Sequence, residues 1–352
     1  MTRDDLLLIL SALDEPIFLV RANRQISLMN RAAEHLFGLG LTGRDFVHAI
    51  RDPDALKCVE VGLSGAASTA AVITLPFPVR TIYRITSVHL ESGGMDAKAI
   101  VTLADISHIH EAEQMRSDFV ANVSHELRSP LTALAGGIET LKGAARNDAQ
   151  ARDRFLAIME REAARMNRLV GDLLSLSRVE VNAHMRPSTP VDLRSVVEKA
   201  VAALDAHARA LNRAIRLDRG EGEFIVPGDE DELTQVFHNL LDNALKYAQE
   251  NTEVNVSIAH AGDVPGLGGR AVAVAVADRG PGIAPEHIPR LTERFYRVDH
   301  GRSREKGGTG LGLAIVKHVL NRHRGRLMIE SVEGVGSTFR VCLPLAATAK
   351  GG

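Results

Sequence analysis

The chain has 352 residues, of which 45% are apolar and 24% are charged, and its formal net charge is −2. This length predicts two or three domains, and the composition is typical of globular protein rather than of a disordered tail. Since there is neither an excess of positive charge nor a basic block, the composition argues against a nucleic-acid-binding protein.

The sequence offers no convincing targeting or membrane segment. No stretch approaches the ~20 apolar residues that a membrane span needs. The apolar run at residues 6–10 is too short, and the acidic residues Asp4 and Asp5 before it do not fit a signal peptide. Cys58 and Cys342 lie far apart and are predicted to be small buried residues in a reduced compartment. We therefore expect a cytoplasmic protein, with membrane association only through an anchor outside this chain.

Residues 1–105 alternate short helix and strand signals, which predicts a small α+β domain. The strand candidates are residues 17–20, 26–30, 83–88 and 98–103.

Residues 106–183 have the pattern of a helical hairpin. Apolar residues recur at intervals of three and four from Val120 to Leu141, and again from Phe155 to Leu176 after a polar break at 147–153. Glu162 is the one polar member of the second stripe. Because two helices alone bury such stripes poorly, the hairpin is predicted to pair with a second copy as a four-helix bundle.

Residues 191–346, after a linker at 185–191, mix helix, strand and glycine-rich loops. Helices are predicted at 193–211 and 231–247, and the strand candidates are residues 254–259, 271–277, 327–331 and 338–343.

His125 stands out from the other histidines because of its neighbours. It lies two positions from the apolar residue Leu127, about 200° around a helix, so its ring should face solvent. Glu126 can polarise one ring nitrogen and leave the other as a nucleophile. Ser129, one turn further on, shares the face of His125, and Pro130 can bend the helix beside it.

Residues 119–131 resemble the phosphoacceptor box of bacterial two-component sensor histidine kinases. The resemblance implies that His125 accepts a phosphoryl group and that Glu126 assists proton removal. It also implies that Ser129 supports a reverse phosphatase activity, although Thr or Asn is usual at that position.

A polar stripe and two glycine loops follow in the last region. Asn239, Asn243 and Lys246 share one face of the helix at 231–247, and their amide oxygens and ammonium group suit Mg²⁺ and phosphates. Asp278 follows a strand candidate and can accept a hydrogen bond from a group such as the adenine amine. Glycine amides before a helix form an anion cradle.

These segments resemble the boxes of the GHKL ATPase superfamily. The resemblance implies that ATP and Mg²⁺ are the cofactors, with Asn243 as metal ligand and Asn239 and Lys246 at the phosphates. Tyr247 would lie near the adenine and Asp278 would recognise its amino group. The remaining implied nucleotide contacts are Gly280, Gly282, Gly308, Thr309, Gly310, Leu311, Gly312 and Thr338. Residues 291–297 resemble the phenylalanine box of a lid over ATP, and 298–309 should be its mobile part.

The whole pattern predicts a multidomain α+β chain with three parts. These are a PAS-like α/β sensor domain (1–105), a dimerisation and phosphoacceptor hairpin (106–183) and a GHKL α/β sandwich that binds ATP (191–346). Within the histidine kinases, the chain most resembles phosphate-regulon sensors. This implies a homodimer that phosphorylates His125 and passes the phosphoryl group to a response regulator aspartate in phosphate-starvation signalling. Signals would pass through residues 106–116.

Two other classes of protein stay open at this point. The chain could be an ATP-binding signalling scaffold without kinase activity. It could also be an ATPase of the chaperone or topoisomerase kind, which is disfavoured because such proteins need no exposed His-Glu pair on a helical hairpin.

Overall fold

The computed structural model describes residues 8–65, 68–76, 80–91, 96–182, 184–262, 264–267, 270–298 and 308–346. The chain divides into two compact units, Met1–Ala121 and Asn122–Gly352, and each is described by itself.

The first unit is built on a five-stranded antiparallel sheet with the strand order β2-β1-β5-β4-β3. The strands are β1 (Ile17–Val20), β2 (Ile26–Met29), β3 (Thr69–Leu75), β4 (Thr81–His89) and β5 (Ala99–Asp105). Helices α1 (Arg31–Phe37) and α2 (Pro53–Leu63) lie between β2 and β3 in the chain, and α2 packs against β3 and β4. Phe18, Ile85 and Leu103 are fully buried in the resulting core.

The four predicted strands of this unit are confirmed as β1, β2, β4 and β5, with their ends within two residues of the prediction. The sequence did not predict β3, which buries only Ile73 and is otherwise made of partly or fully exposed residues. A strand with one buried position carries too little alternation to be recognised.

Asn30 fixes the start of this unit through a fully buried side chain. Its Oδ1 accepts hydrogen bonds from the amides of Ile17 and Ala33, the second of which caps α1. Its Nδ2 donates to the carbonyl oxygens of Leu10 and Glu15 at 3.0 and 2.8 Å. The buried amide is therefore well satisfied, as buried polar groups generally are.

Two long helices follow and form the predicted hairpin: α3 (Ser107–Lys142) and α4 (Ala149–Val181). Helix α3 continues through Pro130, which is buried within it. The polar break predicted at 147–153 is wrong in its second half, because α4 begins at Ala149. The Asp148 side chain accepts a hydrogen bond from the Ala151 amide and so starts the helix earlier than its apolar pattern does.

The two apolar stripes of the hairpin are covered to different extents. In α4, Leu169 and Leu176 are buried, whereas Val120, Leu131 and Ile138 of α3 are exposed by 58, 58 and 44%. An apolar stripe of this length on one side of a helix needs a further surface to cover it. Among the described residues, no helix has the combination of length and apolar character that crossing a membrane demands.

The rest of the second unit is an α/β sandwich. Its sheet has the order β11-β12-β10-β9-β7, with β7 parallel to β9 and the other pairs antiparallel. The strands are β7 (Ala214–Asp218), β9 (Glu253–Ala261), β10 (Ala271–Asp278), β11 (Arg326–Val332) and β12 (Gly336–Pro344). Strands β6 (Thr189–Asp192) and β8 (Ile225–Gly228) form a separate two-stranded ribbon.

Three helices complete the sandwich: α5 (Leu193–Ala210), α6 (Glu230–Tyr247) and α7 (Gly312–Arg322). Helix α6 packs against β10, where Val272, Val274 and Val276 are fully buried and Asp278 continues the same face. The helices and strands predicted here are confirmed, whereas β6, β7 and β8 were missed because they are short and irregular in hydrophobicity. The division into domains at 1–105, 106–183 and 191–346 stays a prediction.

Candidate active site

His125 lies on the exposed surface of α3, as its position relative to Leu127 predicted. Ser129, one turn along the same helix, is also exposed. Both side chains are therefore open to solvent from the same region of the helix. Their assigned roles in phosphoryl transfer stay predictions.

Glu126 faces the other helix of the hairpin. Its Oε2 accepts a hydrogen bond from Arg165 Nη2 at 2.6 Å, and the two side chains are only 18 and 11% exposed. Arg165 Nη1 also lies 3.9 Å from Glu162, the polar member of the α4 stripe. The sequence did not single out Arg165, although its position three residues after Glu162 was the available signal.

The predicted polar face of α6 lies beside the glycine loop 308–312. Asn239, Asn243 and Lys246 are all half-buried. Asn239 Nδ2 donates to the carbonyl oxygen of Gly312 at 3.3 Å, which joins α6 to the glycine loop 308–312. Lys246 Nζ lies 2.5 Å from the carboxylate of Asp242, one turn earlier on the helix. One end of the stripe is thus joined to the loop, and the roles of the three side chains stay predictions.

Asp278 ends β10 with a carboxylate that is 9% exposed. Its Oδ1 accepts the Gly280 amide at 2.8 Å. Burial raises the pKa of Asp278, while hydrogen bonds from the Gly280 and Ser337 backbones act in the opposite direction. A Cβ at Gly280 would lie 2.7 Å from both Asp278 Oδ1 and the carbonyl oxygen of Tyr247, so this turn has no space for a side chain.

Two glycines allow other chain segments to approach closely. Gly282 has φ +71°, and a Cβ there would lie 2.1 Å from the carbonyl oxygen of Val332. Gly310 has φ +74°, and a Cβ there would lie 2.8 Å from Cα of Phe295. The left-handed backbone and the lack of space both favour glycine at these positions.

The glycine loop leads directly into α7. Leu311 is buried at the N-cap position and Gly312 is the first helical residue, while Gly308 is half-buried at the start of the described loop. Thr309 Oγ1 donates to Asp172 of α4 at 2.6 Å and accepts from the Leu311 amide at 3.3 Å. The helix start therefore carries the backbone arrangement of an anion site.

The phenylalanine box touches this loop. Phe295 has φ +63°, is 9% exposed, and donates its amide hydrogen to the carbonyl oxygen of Gly310 at 2.9 Å. Of the predicted mobile lid at 298–309, residues 299–307 lie outside the described residues.

In the last glycine box Ser337 lies next to Asp278, and the implied nucleotide contact of Thr338 stays a prediction. In the β10–β12 register Ser337 pairs with Asp278, and both are buried, whereas Thr338 pairs with Ala277 on the opposite face of the sheet. Tyr247, the last residue of α6, is half-buried next to Gly280. A cavity of about 440 Å³ at this end of the sheet is lined by residues of both sheet faces, among them Asp278, Ser337 and Thr338.

Three family models match the chain. The PAS fold matches residues 4–60, the His Kinase A (phospho-acceptor) domain matches 115–182, and the histidine kinase-, DNA gyrase B- and HSP90-like ATPase matches 228–347. The phosphate regulon sensor protein PhoR of Pseudomonas aeruginosa is 38% identical over 336 residues, which cover 94% of this chain and 72% of PhoR. The chain belongs to the sensor histidine kinases.

Other sensor histidine kinases match over a smaller part of their length. SenX3 of Mycolicibacterium smegmatis is 39% identical over 70% of this chain and 62% of its own. WalK of Staphylococcus saprophyticus is 35% identical over 73% of this chain, which spans only 41% of that relative.

Solved structures of histidine kinases also match parts of the chain. Acinetobacter baumannii AdeS matches 63% of this chain and 98% of its own, with a TM-score of 0.47 and 27% identity. ThkA, in complex with the response regulator protein TrrA, matches 96% of this chain and 98% of its own, with a TM-score of 0.49 and 20% identity. This sensor histidine kinase thus combines a PAS domain, a phosphoacceptor hairpin and a domain that uses ATP.

Proposed function

We propose that this histidine kinase transfers the γ-phosphoryl group of ATP to His125 and then to an aspartate of a response regulator. The observation that carries the proposal is the exposed His125 on α3, in the same compact unit as the nucleotide site around Asp278 and the glycine loop. Both halves of a phosphoryl transfer reaction, acceptor and donor site, are therefore supplied by one chain.

The proposed nucleotide contacts follow the geometry of the second unit. The buried Asp278 carboxylate accepts the adenine amino group, and Ser337 lies beside it on the same face. Amides at the start of α7, together with Lys246 and Asn239, hold the phosphates. The amide oxygen of Asn243 suits Mg²⁺, a hard cation that neutralises phosphate charge when bound.

In the proposed step, the unprotonated ring nitrogen of His125 attacks the γ-phosphorus. The new N–P bond forms as the bond to the bridging oxygen breaks, and ADP leaves. Glu126 stabilises or removes the proton on the other ring nitrogen. Because Arg165 holds the Glu126 carboxylate, this role requires either the second carboxylate oxygen or release from Arg165.

The partners are proposed from the family and from the hairpin surface. The exposed Val120, Leu131 and Ile138 provide an apolar stripe that a second copy would cover in a four-helix bundle. The PhoR relative supports phosphate-starvation signalling as the pathway class. The Ser129 hydroxyl supports a phosphatase activity on the phosphorylated response regulator.

The proposal is tested by incubation of the purified chain with ATP labelled at the γ-phosphate. We expect protein-bound label that is lost in acid and stable in base, and that is lost in His125→Ala. The matched control is His110→Ala, another exposed histidine on α3, which should label normally. Label that persists in His125→Ala would contradict the proposal, and a chain that binds ATP without labelling would be a signalling scaffold.

A further inference from the structure

The C-terminal half of α4 is docked on the ATP-binding domain. Ser175 Oγ donates to Gln235 Oε1 of α6 at 2.6 Å, and Glu180 forms an ion pair with Arg294 of the phenylalanine box. Arg322 of α7 donates to the carbonyl oxygen of Met185, just beyond α4, at 2.9 Å. The hairpin is thus held against the domain by polar contacts along two turns of helix and its exit.

Asp172 is the part of this contact that reaches the nucleotide site. Its Oδ2 accepts the hydroxyl hydrogen of Thr309, inside the glycine loop. Burial raises the pKa of Asp172, while the Thr309 hydrogen bond and the positive charge of Lys246 lower it and the charge of Asp242 raises it. The carboxylate therefore contacts Thr309 of the proposed nucleotide site and lies within electrostatic reach of Lys246, which is assigned to the phosphates.

We propose that Asp172 is a negative element of the nucleotide site, so that docking of α4 and binding of the ATP phosphates oppose each other. This inference rests on the proposed nucleotide site. The phosphates of ATP bring further negative charge to the loop that Asp172 contacts through Thr309 and to the lysine whose charge acts on Asp172, and like charges in a partly buried site repel strongly. Nucleotide binding then releases α4 and frees the ATP-binding domain to move toward His125.

The coupling must be reciprocal. If docked α4 weakens nucleotide binding, bound nucleotide weakens docking by the same factor. The loss of affinity that docking causes also grows with the negative charge of the phosphates. Docking therefore weakens the binding of ATP more than that of ADP, and it does not change the binding of adenosine, which carries no phosphate.

The test uses Asp172→Asn in the full chain, which keeps the side-chain shape and an acceptor oxygen but removes the charge. We expect calorimetric titration to show tighter binding of a non-hydrolysable ATP analogue by about five- to tenfold, and unchanged binding of adenosine. The matched control is Glu160→Gln, an exposed carboxylate on the same helix, which should bind both ligands as the parent does.

A second measurement follows docking itself. Ser175→Cys with Gln235→Cys places two thiols at a docked contact, while Cys58 and Cys342 are buried. A short bis-maleimide should cross-link the two thiols in the nucleotide-free chain. The ATP analogue should slow this cross-linking when Asp172 is present, and should slow it much less in Asp172→Asn.

An unchanged or weaker affinity of Asp172→Asn for the ATP analogue would overturn the inference. A rate of cross-linking that does not change when the analogue is added would also overturn it. If the parent chain bound no nucleotide at all, the proposed ATP site would fail together with the inference. If the parent bound nucleotide and only the Asp172 effects were missing, the inference alone would fail.

Discussion

At the scale of single residues, one arginine pairs with two carboxylates inside the hairpin, next to His125. Arg165 reaches Glu126 across 39 positions of sequence and Glu162 within its own helix. Each of these side chains is largely screened from water by the two helices. A partly buried carboxylate without a partner is costly, so the arginine is expected to matter for stability as well as for the position of Glu126.

Arg165→Leu tests this expectation. Loss of the guanidinium leaves two partly buried carboxylates together, and we expect the free energy of unfolding to fall by about 1–3 kcal/mol in urea denaturation. The control is Arg152→Leu, which removes an exposed pair with Asp153 and should change stability by less than about 0.5 kcal/mol. Equal changes in the free energy of unfolding would show that the Arg165 pair stabilises the fold no more than an exposed ion pair does.

His323 is a second residue whose charge state matters. It is fully buried, its Nε2 accepts the Asp229 amide at 3.0 Å, and its Nδ1 lies 2.8 Å from the carbonyl oxygen of Val319. These partners require a neutral ring with the proton on Nδ1. Burial lowers the pKa of His323 and outweighs the neighbouring Glu232, which would raise it.

The sign of the pH dependence follows from that lowered pKa. The folded state favours neutral His323, so its contribution is complete above the unfolded pKa of about 6.5 and is lost as the pH falls below it. We expect the denaturation midpoint to drop as the pH falls below about 6.5, and His323→Gln to flatten that drop. His238→Gln, an exposed histidine on α6, should leave the slope unchanged. A slope that His323→Gln does not alter would refute this role.

At the scale of elements, the glycine loop and the phenylalanine box form a single contact. Gly310 and Phe295 both have positive φ angles, and the Phe295 amide is bonded to the Gly310 carbonyl oxygen. A non-glycine residue in this conformation is strained, which is common where the backbone serves a binding site. The loop that leads into α7 therefore depends on the segment around Phe295 for its shape.

Gly310→Ala should break that contact. The added Cβ would lie 2.8 Å from Cα of Phe295, so we expect the loop to shift and nucleotide affinity to fall at least about tenfold in calorimetric titration. Gly334→Ala is the control, because its φ is also positive at +79° but no atom lies within 4 Å of the new Cβ. Equal losses of affinity would assign the effect to backbone strain rather than to close approach.

The elements differed in how well the sequence predicted them. Strong periodicity was enough for α3, α4, α6 and the alternating β10, whereas β3, with a single buried residue, and β7, with only five residues, were not predicted. Ser337 and Thr338 show a limit of motif matching. Neighbouring residues of a strand lie on opposite faces of the sheet, so the motif alone did not show which of the two lies next to Asp278.

At the scale of the whole molecule, the sequence was enough to propose the candidate site residues of each segment. It was not enough to predict the contacts between the segments. His125, Asp278 and the glycine loop stand in recognisable local motifs. The bond between Thr309 and Asp172 joins residues 137 positions apart and has no signature in either segment. Such contacts depend on how folded elements pack, and they carry the proposed link between nucleotide binding and release of the hairpin.

The central claim, that ATP phosphorylates this chain on His125, is tested most directly by locating the phosphoryl group. The full chain is incubated with Mg·ATP, digested at neutral or higher pH, and analysed by tandem mass spectrometry. We predict a phosphoryl group on His125 within the peptide that contains residues 119–131, removed by brief acid treatment. A phosphoryl group on another residue, or an unmodified His125 peptide from a chain that binds ATP, would contradict the account.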